Sequence, residues 1–545
     1  MRALKILGLL FCFFLSGFDG QSQTLEQPKL VVGIVVDQMR YDYLYRFYNF
    51  YEDDGFKRLM SSGMNFTFAH YNYVPTYTGP GHSSIYTGST PYYHGIISNN
   101  WYDKENKKVV YCAGDPAYET VGADNTSGQM SPHYLLTSTI TDELRMSNNG
   151  LSRVYATSLK DRASVLPGGH MANAAYWYDG KSGNFISSTY YLEKLPKWVS
   201  SFNGQELPKK LMKDGWPLAK DLDAYEIAQP DAGAGEGDPF AEGSTTFPHS
   251  FKNLTPDELN EVIRTTPFGN ELLTNFSLDL LRNENLGKGR YPDFLAISYS
   301  SPDYVGHAFG PNSMEIMDTY IRLDREIARL LQNLDQEMGE GNYLLFLTAD
   351  HGVKANAAYL EENRMPNGVL RPATVRDSLR SFCTKHFGSP MLIETVDDNQ
   401  IYYNHDIMQI MGKDVRTVDA ALVHYLRQTF SQMGAIHTKS EFNGRTAERN
   451  MNNMILNGFQ LYRSGDLCFE LNSGHITANY AKGTTHGASY DYDTHVPLLF
   501  FGWGVPVGES NEQVYIEDIA PTLSNMLHIP EPDGCIGIPL IQSTR

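Results

Sequence analysis

Asp37 closes the apolar run "LVVGIVV" (30–36), Asp303 and His307 stand in "SPDYVGHAFG" directly after "FLAISYS" (294–300), and Asp350 and His351 open "DHG" directly after "YLLFLTA" (343–349). His486 and His495 lie in "KGTTHGASYDYDTH", just before "VPLLFFG" (496–502). Taken singly, each has an ordinary reading: a strand-end turn residue, a helical pair, a common tripeptide, a hydrogen-bonded histidine. Together they are carboxylates and imidazoles gathered at the ends of several runs with no cysteine among them. That donor set suits a divalent ion such as zinc in an enzyme site that keeps open positions. The D-x-x-x-H spacing of Asp303 and His307 turns both side chains to one face, as a shared ion requires.

A nucleophile for such a site stands in "TYTGPGHSS" (76–84). Thr78 precedes a helix expected to start near Pro80 or Gly81, and threonine in that place is commonly a cap. The same helix N-terminus favours negative charge at the threonine oxygen. A metal on the hydroxyl lowers its pKa and makes the alkoxide available, so the rim residues turn a cap into a candidate nucleophile. "SLKDRA" then supplies Lys160 and Arg162. At i and i+2 of an extended segment they point the same way, leaving Asp161 on the other side without a role.

The elements that must position these residues are short continuous apolar runs, expected as buried parallel strands: 30–36, "RVYATSL" (153–159), 294–300, 343–349 and 496–502. Helical patterns alternate with them. The clearest is 313–334, where Met317, Ile321, Leu331 and Leu334 recur at helical spacing, Asp324 interrupts the stripe, and Asn312 or Ser313 can cap the start. The expected fold is α/β, a mostly parallel sheet with helices on both faces and cap insertions. In such sheets ligands sit outside the carboxyl ends of the strands. The catalytic core is assigned to 28–179, 289–359 and 481–545, with insertions over 180–288 and 360–480. The loop "QPDAGAGEGDPFAEGSTT" (229–246) lacks the ligand spacing of a calcium loop and reads as a surface loop.

The chain has 545 residues, 41% of them hydrophobic, and a formal net charge of -19. It is too long for one simple core, and its acidity argues against a nucleic-acid backbone as partner. "MRALKILGLLFCFFLSGFDGQSQ" carries Arg2 and Lys5, an apolar run from Ile6 to about Leu15, then small and polar residues. That layout predicts a signal peptide over 1–22, cleaved between about Gly17 and Gln23, and so an exported, periplasmic or secreted, protein. Cys12 would leave with it, and no segment has the length of a membrane span. Cys112, Cys383, Cys468 and Cys535 contain no C-x-x-C pair; in an exported protein they allow up to two disulfides of open pairing. Sequons stand at Asn65, Asn125, Asn253 and Asn275.

"VVDQMR", "TYTGPGHSSIYTGSTPYYHGIISNNWYD", "SLKDRA", "SPDYVGHAFGP", "TADHG", "GTTHG" and "IEDIAPTLSNML" occur in the order found in the alkaline phosphatase superfamily. From about 28 to 540 the chain resembles the branch holding nucleotide pyrophosphatase/phosphodiesterases and the monomeric, periplasmic PafA-type alkaline phosphatases with a threonine nucleophile. The resemblance implies two zinc ions: one held by Asp303, His307 and His486, the other by Asp37, Asp350 and His351 with Thr78. It implies that Asn99, in "HGIISN", binds a phosphoryl oxygen, as do Lys160 and Arg162. His82, His94 and His495 are left as structural or supporting residues. Two ions bring four positive charges against three carboxylates and one alkoxide, so a dianionic monoester needs the further cations Lys160 and Arg162. The diesterase branch does not share that motif. The reading is hydrolysis of small phosphate monoesters through a phosphothreonine, by a monomer. The alternatives are a phosphodiesterase or nucleotide pyrophosphatase on the same scaffold, and a non-catalytic zinc-dependent binding protein.

Overall fold

The computed structural model describes residues 26–478 and 482–542. The signal-peptide reading and Cys12 lie outside the described residues.

A ten-stranded sheet forms the centre. Its main strands are β1 (Leu30–Val36), β2 (Val154–Ser158), β3 (Ala174–Asp179), β4 (Asn184–Ser188), β5 (Asp293–Tyr299), β6 (Tyr343–Thr348) and β7 (Leu498–Gly502). They run in the order β7–β6–β1–β5–β2–β3–β4, with short strands beyond each edge. β6, β1, β5, β2 and β3 are parallel. Every residue of β1, β5 and β6 is buried, which is why their sequences are continuous apolar runs rather than alternating ones.

Register decides what the sheet delivers. Val36 pairs with Tyr299 and Val35 with Thr348. The residues that follow β1, β5 and β6 therefore leave the sheet at one edge of one layer, and they include Asp37, Asp303 and Asp350. Asp37 N donates to Tyr299 O at 3.0 Å, which fixes the first of them to the neighbouring strand.

Two expectations need correction. The run 496–502 is not a parallel strand: β7 is antiparallel to β6, with Leu498 opposite Thr348. The chain reaches β7 from the rim, where His495 pairs with His70, and so must run back down the sheet. An apolar run carries no sign of direction. Likewise the insertion boundary at 180 falls inside a hairpin, since β4 pairs with β3 and belongs to the central sheet.

Four helices matter for the site: α1 (Thr78–Thr87), α2 (Arg162–Gly168), α3 (Ser301–Phe309) and α4 (Met314–Met338). α4 is capped by Ser313, whose side chain accepts from Ile316 N at 3.2 Å. Asp324, the break in its apolar stripe, is fully buried. Its carboxylate accepts from Phe56 N at 2.8 Å and Glu52 N at 2.6 Å, so it caps the helix Phe56–Ser62 from outside that helix. Within 360–480, the strands Ile393–Asp397, Gln400–Tyr403, Leu467–Leu471 and Met433–Thr438 form a separate antiparallel sheet in that order. It has its own apolar core around Leu379, Leu422 and Phe469.

Candidate active site

Thr78 is the first residue of α1, two positions earlier than expected; Tyr77 is the N-cap residue, and no side chain caps the helix there. Thr78 is therefore not a cap. Only 1% of it is exposed, and Arg162 Nη2 lies 3.4 Å from its Oγ1. Gly79 N donates to Asn99 Oδ1 at 2.8 Å. That bond orients the Asn99 amide, because its carbonyl is committed to the backbone and its NH2 remains to donate.

Lys160 and Arg162 approach the site differently from the extended-segment expectation. Asp161 has helical dihedrals and is the N-cap residue of α2, accepting from Arg162 N. The two cations therefore diverge. Lys160 Nζ, almost fully buried, lies 2.6 Å from Asp37 Oδ2 and 2.5 Å from Asp303 Oδ2, while Arg162 turns toward Thr78. Asp161 is not idle: Tyr111 OH donates to it and accepts from Arg162 Nη1 at 3.2 Å.

The three candidate histidine ligands share one arrangement. His307 Nδ1 faces Thr484 O at 2.7 Å, His486 Nδ1 faces Thr76 O at 2.6 Å, and His351 Nδ1 faces Gly352 O at 3.0 Å. A ring nitrogen against a carbonyl must carry the proton, so each neutral ring presents Nε2 as a lone pair. Those Nε2 atoms point at carboxylates: His307 at Asp303 Oδ1 (3.1 Å), His486 at the same oxygen (3.6 Å), and His351 at Asp37 Oδ1 (3.6 Å) and Asp350 Oδ2 (3.5 Å).

Among the described residues two groups have ligand atoms within 4.8 Å of one another: Asp303, His307 and His486, and Asp37, Asp303 and His351. Asp303 belongs to both. Asp350 joins the second through its contact with His351. Asp37 Oδ1, Asp350 Oδ2 and His351 Nε2 are buried without a hydrogen-bond partner. Leaving such atoms unmade costs about 1–3 kcal/mol apiece. Acceptor-only atoms, converging and unpartnered, fit divalent cations, and the oxygen–imidazole donor set fits zinc.

The local electrostatics follow from burial and crowding. Asp37 is pushed well above the usual carboxylate range by burial, then by repulsion from Asp303 and Asp350. Burial raises Asp350 to about 6. Burial also opposes charge on Asp303, but His307 and Lys160 outweigh it and hold that carboxyl well below its ordinary value. His351 is lowered to about 4 and His82 to about 3, both by burial. For Lys160 burial works against the charge, yet Asp303 and Asp37 raise it above the ordinary lysine value.

The remaining histidines are spoken for. His82 bridges Thr78 O and Ser298 Oγ (2.9 and 2.8 Å). His94 contacts Ser84 Oγ and Ile96 N, and His495 contacts Thr67 O and stacks on Tyr41 and His70.

The family model described as type I phosphodiesterase / nucleotide pyrophosphatase matches residues 31–494. The chain belongs to this family. As a member of the type I phosphodiesterase / nucleotide pyrophosphatase family it falls within the alkaline phosphatase superfamily. It is 39% identical over 537 residues (98% of each chain) to alkaline phosphatase PafA of Elizabethkingia meningoseptica. It is 43% identical over 515 residues (94% of this chain, 92% of the relative) to alkaline phosphatase PhoV of Synechococcus elongatus. The crystal structure of wild-type PafA superimposes with a TM-score of 0.90 at 39% identity, covering 95% of this chain and 99% of that one.

In this phosphodiesterase-family chain, sequence reasoning overlooked Gln38 and Tyr111 and gave the supporting Asp161 no role. Gln38 takes a left-handed backbone (φ 66°) so that its side chain donates to Asp303 Oδ1 at 2.7 Å and its N–H to Asp350 Oδ1 at 3.1 Å. It ties two rim carboxylates together, and its only sequence sign is adjacency to Asp37. Tyr111 and Asp161 hold Arg162, and only the fold brings Tyr111 near. Among the described residues no helix is long and apolar enough to cross a membrane.

Proposed function

We propose that the protein is an exported, monomeric phosphatase that hydrolyses phosphate monoesters to an alcohol and inorganic phosphate. The observation that carries the reading is the approach of Arg162 Nη2 to within 3.4 Å of Thr78 Oγ1, with the Lys160 ammonium buried beside the same carboxylates. One cation at the nucleophile and a second buried on the adjoining Asp37 and Asp303 favour a phosphoryl group with two negative charges.

Asp303, His307 and His486 would hold one zinc ion, and Asp37, Asp350 and His351 with Thr78 the other. When bound, the ions lower the pKa of the threonine hydroxyl and offset charge on the phosphoryl and leaving oxygens. Thr78 Oγ1 forms a bond to phosphorus as the ester P–O bond breaks and the alcohol departs. Water then attacks the phosphothreonine, restoring the hydroxyl and releasing phosphate. Throughout, Arg162 and the Asn99 NH2 orient non-bridging oxygens, while Tyr111 and Asp161 keep Arg162 in place.

The test is the ratio of kcat/KM on matched aryl phosphate monoester and diester substrates. A ratio well above one that collapses in a Lys160→Ala/Arg162→Ala variant supports the reading. A preference for the diester in the unmodified enzyme overturns it in favour of a phosphodiesterase. Zinc loading with no turnover of either substrate would make the protein a binding protein.

A further inference from the structure

Beside His486 and Tyr77 lies a cavity of about 60 Å3 between the catalytic rim and the 360–480 region. Its apolar wall includes Phe459, Phe469, Ile476, Ile455, Leu471 and Val74. On the phosphatase reading, His486 belongs to the set facing the leaving oxygen, whereas Arg162 and Asn99 face the non-bridging oxygens. The alcohol portion of a substrate therefore points into this cavity.

The charged groups on its wall are Lys354, Asp493, Asp398 and Glu470. Lys354 Nζ is held on Gly474 O at 2.8 Å; burial lowers it to about 8, while Asp493, itself raised to about 7 by burial, favours its charge. Glu470 has His437 nearby, which favours its charge, and a hydrogen bond from the Ser489 side chain; among the described residues Asp398 has no cation beside it, only Asp397 and the Ser98 hydroxyl. Asp398 sits at φ 47°, the left-handed conformation that a two-residue hairpin turn requires, between Ile393–Asp397 and Gln400–Tyr403. Its Oδ2 accepts from Ser98 Oγ at 2.6 Å, next to Asn99. Burial raises Asp398 only to about 6, so it is ionised at pH 8.

We propose that this cavity is a leaving-group subsite selecting apolar alcohols that are neutral or carry an ammonium group, and rejecting those with a second negative charge. Aromatic faces supply contact area for a ring, and an ammonium over such faces gains further attraction. The Asp398 carboxylate, with no cation beside it among the described residues, attracts that cation and repels an anion, and Glu470 contributes less because His437 faces it. A wider hollow of about 350 Å3 continues outward and shares Ile455, Glu470 and Ser489 with the cavity. At about 60 Å3 the inner cavity takes only part of a ring, so the ring extends toward this hollow, which also carries Arg445.

The inference rests on the phosphatase reading, and one set of substrates tests them apart. Phenyl phosphates bearing para-aminomethyl, para-methyl and para-carboxymethyl groups are compared by kcat/KM at pH 8, in wild type, Asp398→Asn and Glu470→Gln. The quantity read is the ammonium-to-carboxylate ratio within each protein, which cancels losses common to all substrates. The expected wild-type ratio exceeds one, and it falls by roughly tenfold in at least one variant. A wild-type ratio of one or less overturns the subsite whether or not either variant folds. A ratio unchanged in two folded variants also overturns it, while turnover of the para-methyl ester leaves the phosphatase reading standing. Failure to hydrolyse any of the three overturns that reading, and the subsite with it.

Discussion

The two ligand groups share Asp303 and differ in almost everything else. Asp37, Asp350 and His351 are wholly buried, and each has an oxygen or nitrogen without a partner. In the other group the His307 side chain is 32% exposed, and its ring hangs from the end of α3 rather than from a strand end. The inner group follows two adjacent parallel strands, β1 and β6, and stands against α1, where His82 Nδ1 lies 3.4 Å from Asp350 Oδ2. The outer group is assembled from a helix and a long connection, and opens toward the leaving-group cavity. Under the proposed mechanism the difference is a division of labour: rigidity where the nucleophile is made, access where an alcohol departs and water arrives.

The strongest way to break this picture is at Thr78. Thr78→Val should lower turnover by at least ~1,000-fold while both metal equivalents remain, because the hydroxyl is only one of the inner donors. Thr78→Ser should recover part of it. Acid-quenched enzyme should carry phosphate on Thr78, and label on another residue would refute the assignment.

Next in size is the double variant Lys160→Ala/Arg162→Ala. A charge pair at about 4 Å and an effective dielectric near 20 is worth up to ~4 kcal/mol before desolvation. A quarter of that per cation predicts a loss on monoesters roughly 30-fold greater than on diesters. Equal losses would remove the charge argument.

The inner and outer groups should then separate in stability. His351→Ala empties a fully buried position and should cost about 2–4 kcal/mol, read by denaturant unfolding. His307→Ala, at a partly exposed position, should cost less than about 1 kcal/mol. Indistinguishable midpoints would dissolve the comparison. Chelation should show the same order: one metal equivalent lost quickly with activity, a second slowly, both restored by zinc. A single phase would mean that the groups exchange as a unit.

The smallest expected effect is at the support of Arg162. Tyr111→Phe removes one hydroxyl that both donates and accepts, and should lower monoester kcat/KM several-fold with little change in stability. An unaltered monoester-to-diester ratio would show that Arg162 is held by other means.

The sequence made the rim legible because the chemistry sits where strands end. Asp37, Asp303 and Asp350 each follow an apolar run, and parallel register converts three separate positions into one layer. Asp324 was visible as an anomaly in a helical stripe, but its partners at Glu52 and Phe56 are 268 or more residues away and no local pattern points to them. The direction of β7 was not legible, since burial on both faces looks the same in either sense. The Lys160–Arg162 spacing misled because Asp161 caps α2, replacing the extended geometry with a helical turn. Gln38 escaped notice because its side chain acts through a backbone conformation that its residue type does not announce.

Asp324 has one more consequence. The helix Phe56–Ser62 is seven residues long, too short to persist on its own in water. Its first amide proton is held by a carboxylate belonging to α4, so that bond opens only when the two helices part. In hydrogen exchange the Phe56 and Glu52 amides should therefore keep time with the α4 interior rather than with surface turns. Asp324→Ala should turn them into fast exchangers, marking the seam where a peripheral helix is stitched into the cooperative unit that carries the site.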